Sequence, residues 1–236
     1  MKRAAKSGRH TRRPGFGGVG SRRMISAIER NLPMTSSTRQ PGALLLLLVV
    51  TALLLAACGT TGSGTIVTEQ RDVGSFDRIE ASSGVNVEIT VDPTLPTSVE
   101  VMYDDNVLEN VATDVSGDTL VIKLTGSTNI SGSARRVVTV VTDRLVGISA
   151  SGGANVSASG ATDAYQADVS GGADLELRKL EAASVVLDAS GGATLNVYAS
   201  ESATGEASGG ANVSVFGNPP VVAVDVSGGA DLDIEN

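Results

Sequence analysis

Histidine and cysteine are almost absent from this 236-residue sequence, and tryptophan does not occur in it. The one histidine is His10 and the one cysteine is Cys58, so neither type occurs after Cys58. Beyond Cys58 the chain has no means to build a serine–histidine–aspartate triad, a cysteine nucleophile or a histidine or cysteine metal site. Carboxylate chemistry is the catalytic route that survives. That route needs a pair of carboxylates in unlike surroundings, and the sequence shows no such asymmetry, so we expect a protein without enzymatic activity and without a cofactor.

The most regular feature that is present is the motif Ser-Gly-Gly-Ala, which occurs five times. Its copies begin at Ser151, Ser170, Ser190, Ser208 and Ser227. A repeat of nearly constant length, here about 19 residues, is typical of proteins in which each unit stacks on the previous one. The motif therefore predicts a stacked repeat architecture.

Apolar and polar residues alternate on both sides of each motif. Successive side chains of a strand point to opposite faces, so the apolar set predicts one buried face. In the second copy this set is Ala167, Val169, Ala173, Leu175 and Leu177, and Asp168, Ser170, Asp174 and Glu176 face the other way. The later copies supply Leu187, Ala189, Ala193, Leu195, Val197, Ala207, Ala211, Val213, Val215, Val224, Val226, Ala230, Leu232 and Ile234.

The Gly-Gly pair in each motif can take positive φ values and so predicts a corner between two short strands. Coils stacked about 4.8 Å apart would pair every strand and build a continuous core. We predict an all-β, single-domain, right-handed parallel β-solenoid with coils of about 19 residues, because parallel crossovers nearly always have that hand. A β-sandwich of hairpins is the alternative, but it gives no reason for the copies to match.

The N-terminal segment has the composition of a secretory signal. Residues 1–42 contain ten lysine and arginine residues and one acid, Glu29, and residues 43–57 form an apolar run. A basic region, an apolar run of this length and a small-residue cleavage site are typical of a signal peptide, and the run is short for a transmembrane helix. We assign residues 1–57 to the signal peptide. A start at Met34 would leave a basic region of ordinary length, with positions 1–33 an annotation artefact.

The apolar run ends in Leu55-Ala56-Ala57-Cys58, which resembles the bacterial lipobox. The resemblance implies that Cys58 receives a lipid and becomes the new N-terminus, which predicts a membrane-anchored lipoprotein. Residues 58–65, which are rich in glycine, serine and threonine, are expected to be a flexible tether to the domain at residues 66–236. Gly59 is not the aspartate associated with inner-membrane retention, so the outer membrane is favoured in a cell with two membranes.

Charge excludes one class of partner. From Cys58 onward the chain has 8 basic and 25 acidic residues, a net charge of −17. Nucleic-acid binding needs clustered lysine and arginine, so we expect none. Asp231, Asp233 and Glu235 on the last predicted strand would discourage edge-to-edge pairing, which favours a monomer.

Residues 66–145 are less repetitive but still predict short strands, and we interpret them as irregular early coils and a β cap. The predicted strands are Phe76–Ala81, Val85–Val91, Ser98–Tyr103, Thr119–Leu124 and Val137–Val141, with one helical turn within Asp105–Val111. Ser83-Gly84-Val85-Asn86-Val87 is similar to the later corners, and terminal repeats are often atypical.

Three stretches of this half, together with the Ser-Gly-Gly-Ala series, resemble the head GIN domain family of auto-transporter adhesins. They are Val73–Ile79, Ser83–Ile89 and Gly117–Ile122. The glycine-isoleucine-asparagine of the family stands here as Gly84-Val85-Asn86. The resemblance covers roughly residues 66–236. It implies a β-solenoid-like envelope domain, often on a lipoprotein, and supplies no catalytic residues.

The candidate site with the clearest chemistry is an outward acidic column. Its members are Asp168, Asp188, Glu206 and Asp225. Stacked coils would bring these carboxylates roughly 5 Å apart, where they could recruit a cation, and calcium suits such oxygen ligands. The alternative, which we favour, is that the exposed side chains spread apart and keep the protein soluble. The residue spacing of calcium-binding β-rolls is absent.

The sequence therefore predicts a lipid-anchored protein of the bacterial envelope with an adhesin-like or structural role and no catalysis. Its partners are the membrane and, as open possibilities, envelope glycans or surface proteins. The alternative is a polysaccharide-binding or carbohydrate-active protein that uses the outward face of the solenoid. Tyr198 and Phe216 occupy equivalent outward positions and could form a small patch there, but the interpretation we favour is that they cover a corner of the core.

Overall fold

β-Strands make up most of the chain in the computed structural model, which describes residues 60–126, 128–129 and 135–235. The described residues belong to the compact unit Ala52–Asn236. The predicted signal peptide and Cys58 lie outside them. Within the described part of the chain, no helix has the length and apolar character needed to cross a membrane.

The strands follow the alternating segments of the sequence. They are β1 (Thr60–Thr61), β2 (Ile66–Arg71), β3 (Arg78–Ser82), β4 (Asn86–Val91), β5 (Ser98–Asp104), β6 (Val111–Ser116), β7 (Thr119–Leu124), β8 (Thr128–Asn129), β9 (Val137–Thr142), β10 (Gly147–Ala150), β11 (Asn155–Val169), β12 (Asp174–Ala189), β13 (Thr194–Tyr198), β14 (Ser202–Ala207), β15 (Asn212–Phe216), β16 (Val221–Val226) and β17 (Asp231–Glu235). A single 3₁₀ turn, Leu108–Asn110, lies where the helical turn was predicted. The predicted strands of the N-terminal half are confirmed to within two residues.

Fifteen of these strands form one large open sheet, and β1 pairs separately with β8. The longest path through the sheet runs β6, β7, β3, β10, β11, β12, β13, β15, β17. A second path leads from β2 through β5, β9 and β4 to β11. Strand β11 pairs with β12, where the two paths meet and separate again. The first half of β12 pairs with β13, and its second half pairs with β14, which pairs with β16. The all-β class is therefore confirmed.

In the repeat region every strand pair is parallel, and the pairing follows the period of the sequence. Asn155 pairs with Asp174, which pairs with Thr194, and Asn212 and Asp231 continue the same column. The N-terminal half also contains antiparallel pairs, which the sequence analysis did not predict: β2 with β5, β5 with β9, and β6 with β7. The β6–β7 pair is a hairpin that turns at Gly117, whose φ is +68°.

The core is built from the predicted apolar faces. The side chains of Ala167, Val169, Ala173, Leu175 and Leu177 are all buried, as are the equivalents in the next two copies, through Val215. The prediction is wrong for the last copy. Val226 and Ile234 are 45% and 52% exposed, and Val224, Ala230 and Leu232 are half-buried. The physical reason is that no further described strand stacks on β16 and β17.

The corners form where the Ser-Gly-Gly-Ala motifs predicted them. In each of four copies the amide of the alanine donates to the carbonyl of the serine, as in Ala173 to Ser170 at 3.3 Å. Successive corners are also bonded to each other, since the Gly192 amide donates to the Gly171 carbonyl at 2.7 Å. The first glycine of each pair has positive φ, which is +72° at Gly191. A Cβ atom at Gly191 would lie 2.9 Å from the Gly171 oxygen, so conformation and close packing both require glycine there.

We predict that Gly191→Ala destabilises the domain and that Gly192→Ala does not. Alanine at position 191 would take a left-handed conformation and press on the Gly171 carbonyl, at a cost of about 1–3 kcal/mol. At Gly192 the added Cβ would lie 3.6 Å from the same oxygen, an ordinary contact, and φ is not positive. Urea unfolding of both variants measures the difference. Equal loss of stability in the two would contradict this account of the corner.

Candidate functional site

The structure brings the four predicted acidic residues into one column. Asp168 on β11 pairs with Asp188 on β12, Asp188 with Glu206 on β14, and Glu206 with Asp225 on β16. Asp168 is half-buried and the other three are exposed. Across the residues that the structure describes, no cluster of three or more metal-ligating side chains is found. The favoured role of this column in solubility stays a prediction, and calcium binding stays its untested alternative.

The column continues past its predicted first member. Asp168 pairs with Ser149 on β10, and Ser149 pairs with Glu80 on β3. The sequence analysis did not include Glu80 in the column. The Ser149 hydroxyl donates to Asp168 Oδ2 at 3.3 Å. Glu80 stands between buried Ile79 and Ala81, just as Asp168 stands between Ala167 and Val169, and this shared pattern could have revealed it.

A shallow cavity of about 300 Å³ lies along this column. It is lined by Glu80, Asp168, Asp188 and the corner serines Ser151, Ser170 and Ser190, among others. Its polar atoms are hydroxyls and carboxylates at the regular spacing of the strands. The arrangement can accept hydrogen bonds along a line, but it holds no histidine, cysteine or cation that would activate a nucleophile.

We predict that Asp188→Asn stabilises the domain at low ionic strength, because it removes a charge with like charges on both sides. Directly opposed like charges on a sheet cost about 0.2–1 kcal/mol, and the gain should fade in about 1 M salt. Asp174→Asn is the matched control, since its ladder neighbours, Asn155 and Thr194, are uncharged. Thermal melting at low and at high salt measures the effect of the charge, and melting with calcium or with chelator measures cation binding. A calcium-dependent rise in Tm that Asp188→Asn abolishes would instead establish a cation site.

A larger depression, of about 480 Å³, lies near the start of the repeat region, and Asn86 is among the residues that line it. Asn86 Nδ2 donates to the Arg136 carbonyl at 3.1 Å, and Asn86 Oδ1 accepts from Asn155 Nδ2 at 3.1 Å. The asparagine of the Gly84-Val85-Asn86 signature thus joins the N-terminal strands to the first regular coil. Its role in this structure is architectural.

Charged residues line the same depression. Arg135 Nη2 lies 2.5 Å from Glu88 Oε2 in an exposed ion pair, and Asn196 Nδ2 donates to Glu176 Oε2 at 2.9 Å. Ser157 separates Glu88 from Glu176 in the ladder, so the two carboxylates are two strands apart. Both carboxylates have polar partners, and both are open to solvent. This surface can bind a polar ligand, but it does not isolate a proton donor from water as an acid catalyst requires.

The ion pair between Arg136 and Asp104 is buried. Arg136 Nε contacts Asp104 Oδ2, Arg136 Nη2 lies 3.1 Å from Oδ1, and the Gly64 amide also donates to Oδ1 at 2.7 Å. The Arg136 hydrogen bond is the main reason that the pKa of Asp104 falls from its ordinary 3.8 to about 2. Asp104 is therefore charged at every physiological pH, and removal of its partner would leave a buried charge.

Most aromatic residues are unavailable to a ligand. Phe76, Tyr103 and Tyr165 are buried, and burial raises the pKa of the Tyr103 and Tyr165 hydroxyls. Tyr198 and Phe216 pair with each other on β13 and β15 and are half-buried. The Arg178 guanidinium lies 5.2 Å from the centre of the Phe216 ring. The two rings thus form a small aromatic surface next to the Arg178 guanidinium. The predicted lipid-attachment residue, Cys58, lies outside the described residues.

The described strands define an all-β protein whose repeat region is built from parallel strands paired in register. A family model described as "putative auto-transporter adhesin, head GIN domain" matches residues 75–157 and again residues 125–219. The chain belongs to this family, which confirms the resemblance drawn from its sequence. The comparison with curated proteins gives no match.

Solved structures similar to this one come from bacteria. A putative adhesin from Bacteroides fragilis is 16% identical, with a TM-score of 0.47, and the match covers 75% of this chain and 100% of that one. A putative lipid binding protein from Parabacteroides distasonis is 13% identical, with a TM-score of 0.37 and coverage of 76% and 100%. A putative adhesin from Parabacteroides merdae is 13% identical, with a TM-score of 0.36 and coverage of 75% and 99%.

Proposed function

We propose that this protein is a lipid-anchored, non-catalytic binding protein of the bacterial cell envelope, with an adhesin-like or structural role. The observation that carries the proposal is its membership of the head GIN domain family, whose description is that of an adhesin. A second support is the surface of the repeat region, where hydroxyls, amides and carboxylates stand in exposed columns. Such a surface suits binding or structural support better than catalysis.

The finer form of the fold is part of this proposal. Parallel pairs recur at the period of the sequence repeat, as in Asp174 with Thr194 and Thr194 with Asn212, which supports a β-solenoid. The right-handed sense follows from the strong preference of parallel crossovers for that hand. The solenoid would occupy residues 66–236, with the irregular N-terminal strands as its cap.

Export and anchoring rest on the N-terminal sequence. Residues 1–57 would act as the signal peptide, and Cys58 would carry the lipid in front of the tether at residues 58–65. One acyl chain holds a protein only weakly at a membrane, whereas the several chains of a mature bacterial lipoprotein give stable anchoring. In a cell with two membranes, Gly59 at the second mature position favours the outer membrane. The net charge of −17 from Cys58 onward disfavours nucleic acid as a partner.

We predict that Cys58→Ser releases the protein from the membrane. In the native bacterium the wild-type protein should incorporate labelled palmitate and sediment with membranes, because the lipid would supply its attachment. The variant should remain unlabelled and soluble. Ser63→Ala is the control, since it lies in the same segment but leaves the cysteine in place. Membrane association of Cys58→Ser at the wild-type level would contradict lipid anchoring.

A second candidate function, polysaccharide binding, is favoured by the aromatic surface. Tyr198 and Phe216 lie side by side at the positions where sugar rings could stack, and Arg178 and Glu176 add hydrogen-bonding groups beside them. Both rings are half-buried and so partly accessible to solvent, and neither belongs to the cluster of buried core residues.

We predict that the double variant Tyr198→Ala, Phe216→Ala loses glycan binding by about tenfold or more, since each ring contributes stacking area. Binding of the mature protein to a glycan and cell-wall array, with and without calcium, is the measurement. Val186→Ala is the control, because Val186 is 54% exposed but has no aromatic neighbour in its ladder. If the wild-type protein binds no glycan on the array, this second function is excluded.

A further inference from the structure

The segment that leads from the proposed lipid anchor into the domain is fastened to the body of the protein. Thr60 and Thr61 form strand β1, which pairs in parallel with Thr128 and Asn129. The side-chain amide of Asn106 then makes two bonds to the segment. Asn106 Nδ2 donates to the Thr61 carbonyl at 2.8 Å, and Asn106 Oδ1 accepts from the Ser63 amide at 2.9 Å. Asn106 therefore binds the segment as a neighbouring strand would.

The two aspartates before Asn106 add three more bonds. The Gly64 amide donates to Asp104 Oδ1 at 2.7 Å, the Ser63 hydroxyl donates to Asp105 Oδ1 at 2.5 Å, and the Asp105 amide donates to the Thr65 carbonyl at 2.9 Å. Asp104 is fully buried and its position is fixed by Arg136. Hydrogen bonds to charged groups contribute more than neutral ones, so the bonds from Gly64 to Asp104 and from Ser63 to Asp105 are the strongest of the set.

Gly62 explains why a glycine-rich sequence can be held so closely. Its φ is not positive, and a Cβ atom there would lie 2.7 Å from Asp104 Oδ1. The absence of a side chain at Gly62 therefore lets the backbone reach the buried carboxylate. Composition alone indicates a flexible linker for residues 58–65, but at Gly62 the glycine serves close packing.

The clamp formed by residues 60–65 with Asp104, Asp105 and Asn106 shortens the distance between anchor and domain. Thr60 follows Cys58 with only Gly59 between them, so a lipid on Cys58 would lie within about 7 Å of the clamped backbone, at roughly 3.6 Å per residue. With the clamp open, the chain from Cys58 to Thr65 could span about 25 Å. The clamp thus decides whether the domain rests on the membrane or moves freely above it.

The clamp lies at one edge of the large sheet. It joins the sheet at the start of β2, the edge strand that pairs only with β5. Strand β16 lies seven strands further along the path, about 34 Å away at roughly 4.8 Å per strand. The uncovered last coil, with Val226 and Ile234, belongs to that distant edge.

We propose that the clamp docks the β2–β5 edge of the domain against the surface of the bilayer and turns the edge formed by β16 and β17 toward the exterior. This inference rests on the proposed lipid anchor. The β2–β5 edge would then be the surface through which the protein contacts its own membrane. The corners and polar columns between the two edges would face the exterior.

Hydrogen exchange on the mature chain from Cys58 tests the clamp itself. The Ser63 and Gly64 amides should exchange more slowly than in an unstructured chain. Asn106→Ala should accelerate exchange at Ser63 by about tenfold, because two hydrogen bonds are lost. Asn110→Ala is the matched control, since Asn110 Nδ2 bonds to the Thr125 carbonyl and not to the segment. Exchange at unstructured rates in the wild-type protein would overturn the proposal, whether or not a variant folds.

Neutron reflectometry tests the orientation. The mature protein can be coupled through its one cysteine to maleimide lipid in a supported phosphatidylcholine bilayer, which makes the result independent of natural lipidation. The wild-type protein should form a layer directly on the headgroups. Asn106→Ala and Gly62→Ala should shift the layer outward and broaden it, while Asn110→Ala should not. Identical layers for all four proteins would overturn the docking, whereas failure of the anchor itself would appear in the Cys58→Ser fractionation.

Discussion

The structure depends on parallel, in-register pairing of one coil with the next. Each Ser-Gly-Gly-Ala corner must sit directly on the previous one for the Gly192 amide to reach the Gly171 carbonyl, and a Cβ atom at Gly191 would prevent it. Once the corners are in register, the alternating flanks place small aliphatic side chains inside and polar side chains outside. Both the core and the surface columns follow from this one constraint.

Stacking in register has an electrostatic consequence, since it sets chemically similar residues opposite each other. In the column of Asn155, Asp174, Thr194 and Asn212 an acid alternates with neutral partners, which avoids repulsion. In the column that contains Asp188 and Glu206, acids stand directly opposite each other. Exposure to solvent limits the free-energy cost of this repulsion. Among the described residues, β16 and β17 are the last strands of the stack, and their apolar face is only partly covered. A protein of this kind presents long, regular polar surfaces, which fits a family described as adhesins.

The candidate surfaces were only partly predictable. The four acidic residues fall in one column because equivalent positions of the repeats, 18 to 20 residues apart, pair in register. Glu80 was missed because it lies in the irregular half, where no exact motif marks the register. The contacts of Asp104 with Arg136 and Gly64 join residues 32 and 40 positions apart, and nothing local in the sequence indicates such pairs.

The all-β class, the corners and most side-chain directions in the repeats could be derived from the sequence alone, because each follows from local chemistry repeated at a fixed period. The family was identified instead by the resemblance of particular motifs. The antiparallel pairs of the N-terminal half, the exposure of the last apolar face and the attachment of residues 60–65 to the body emerge only in the folded protein. These features depend on which surfaces remain available after the coils have stacked. A buried carboxylate such as Asp104 attracts distant partners because it must be satisfied, and only the folded chain determines which donors can reach it.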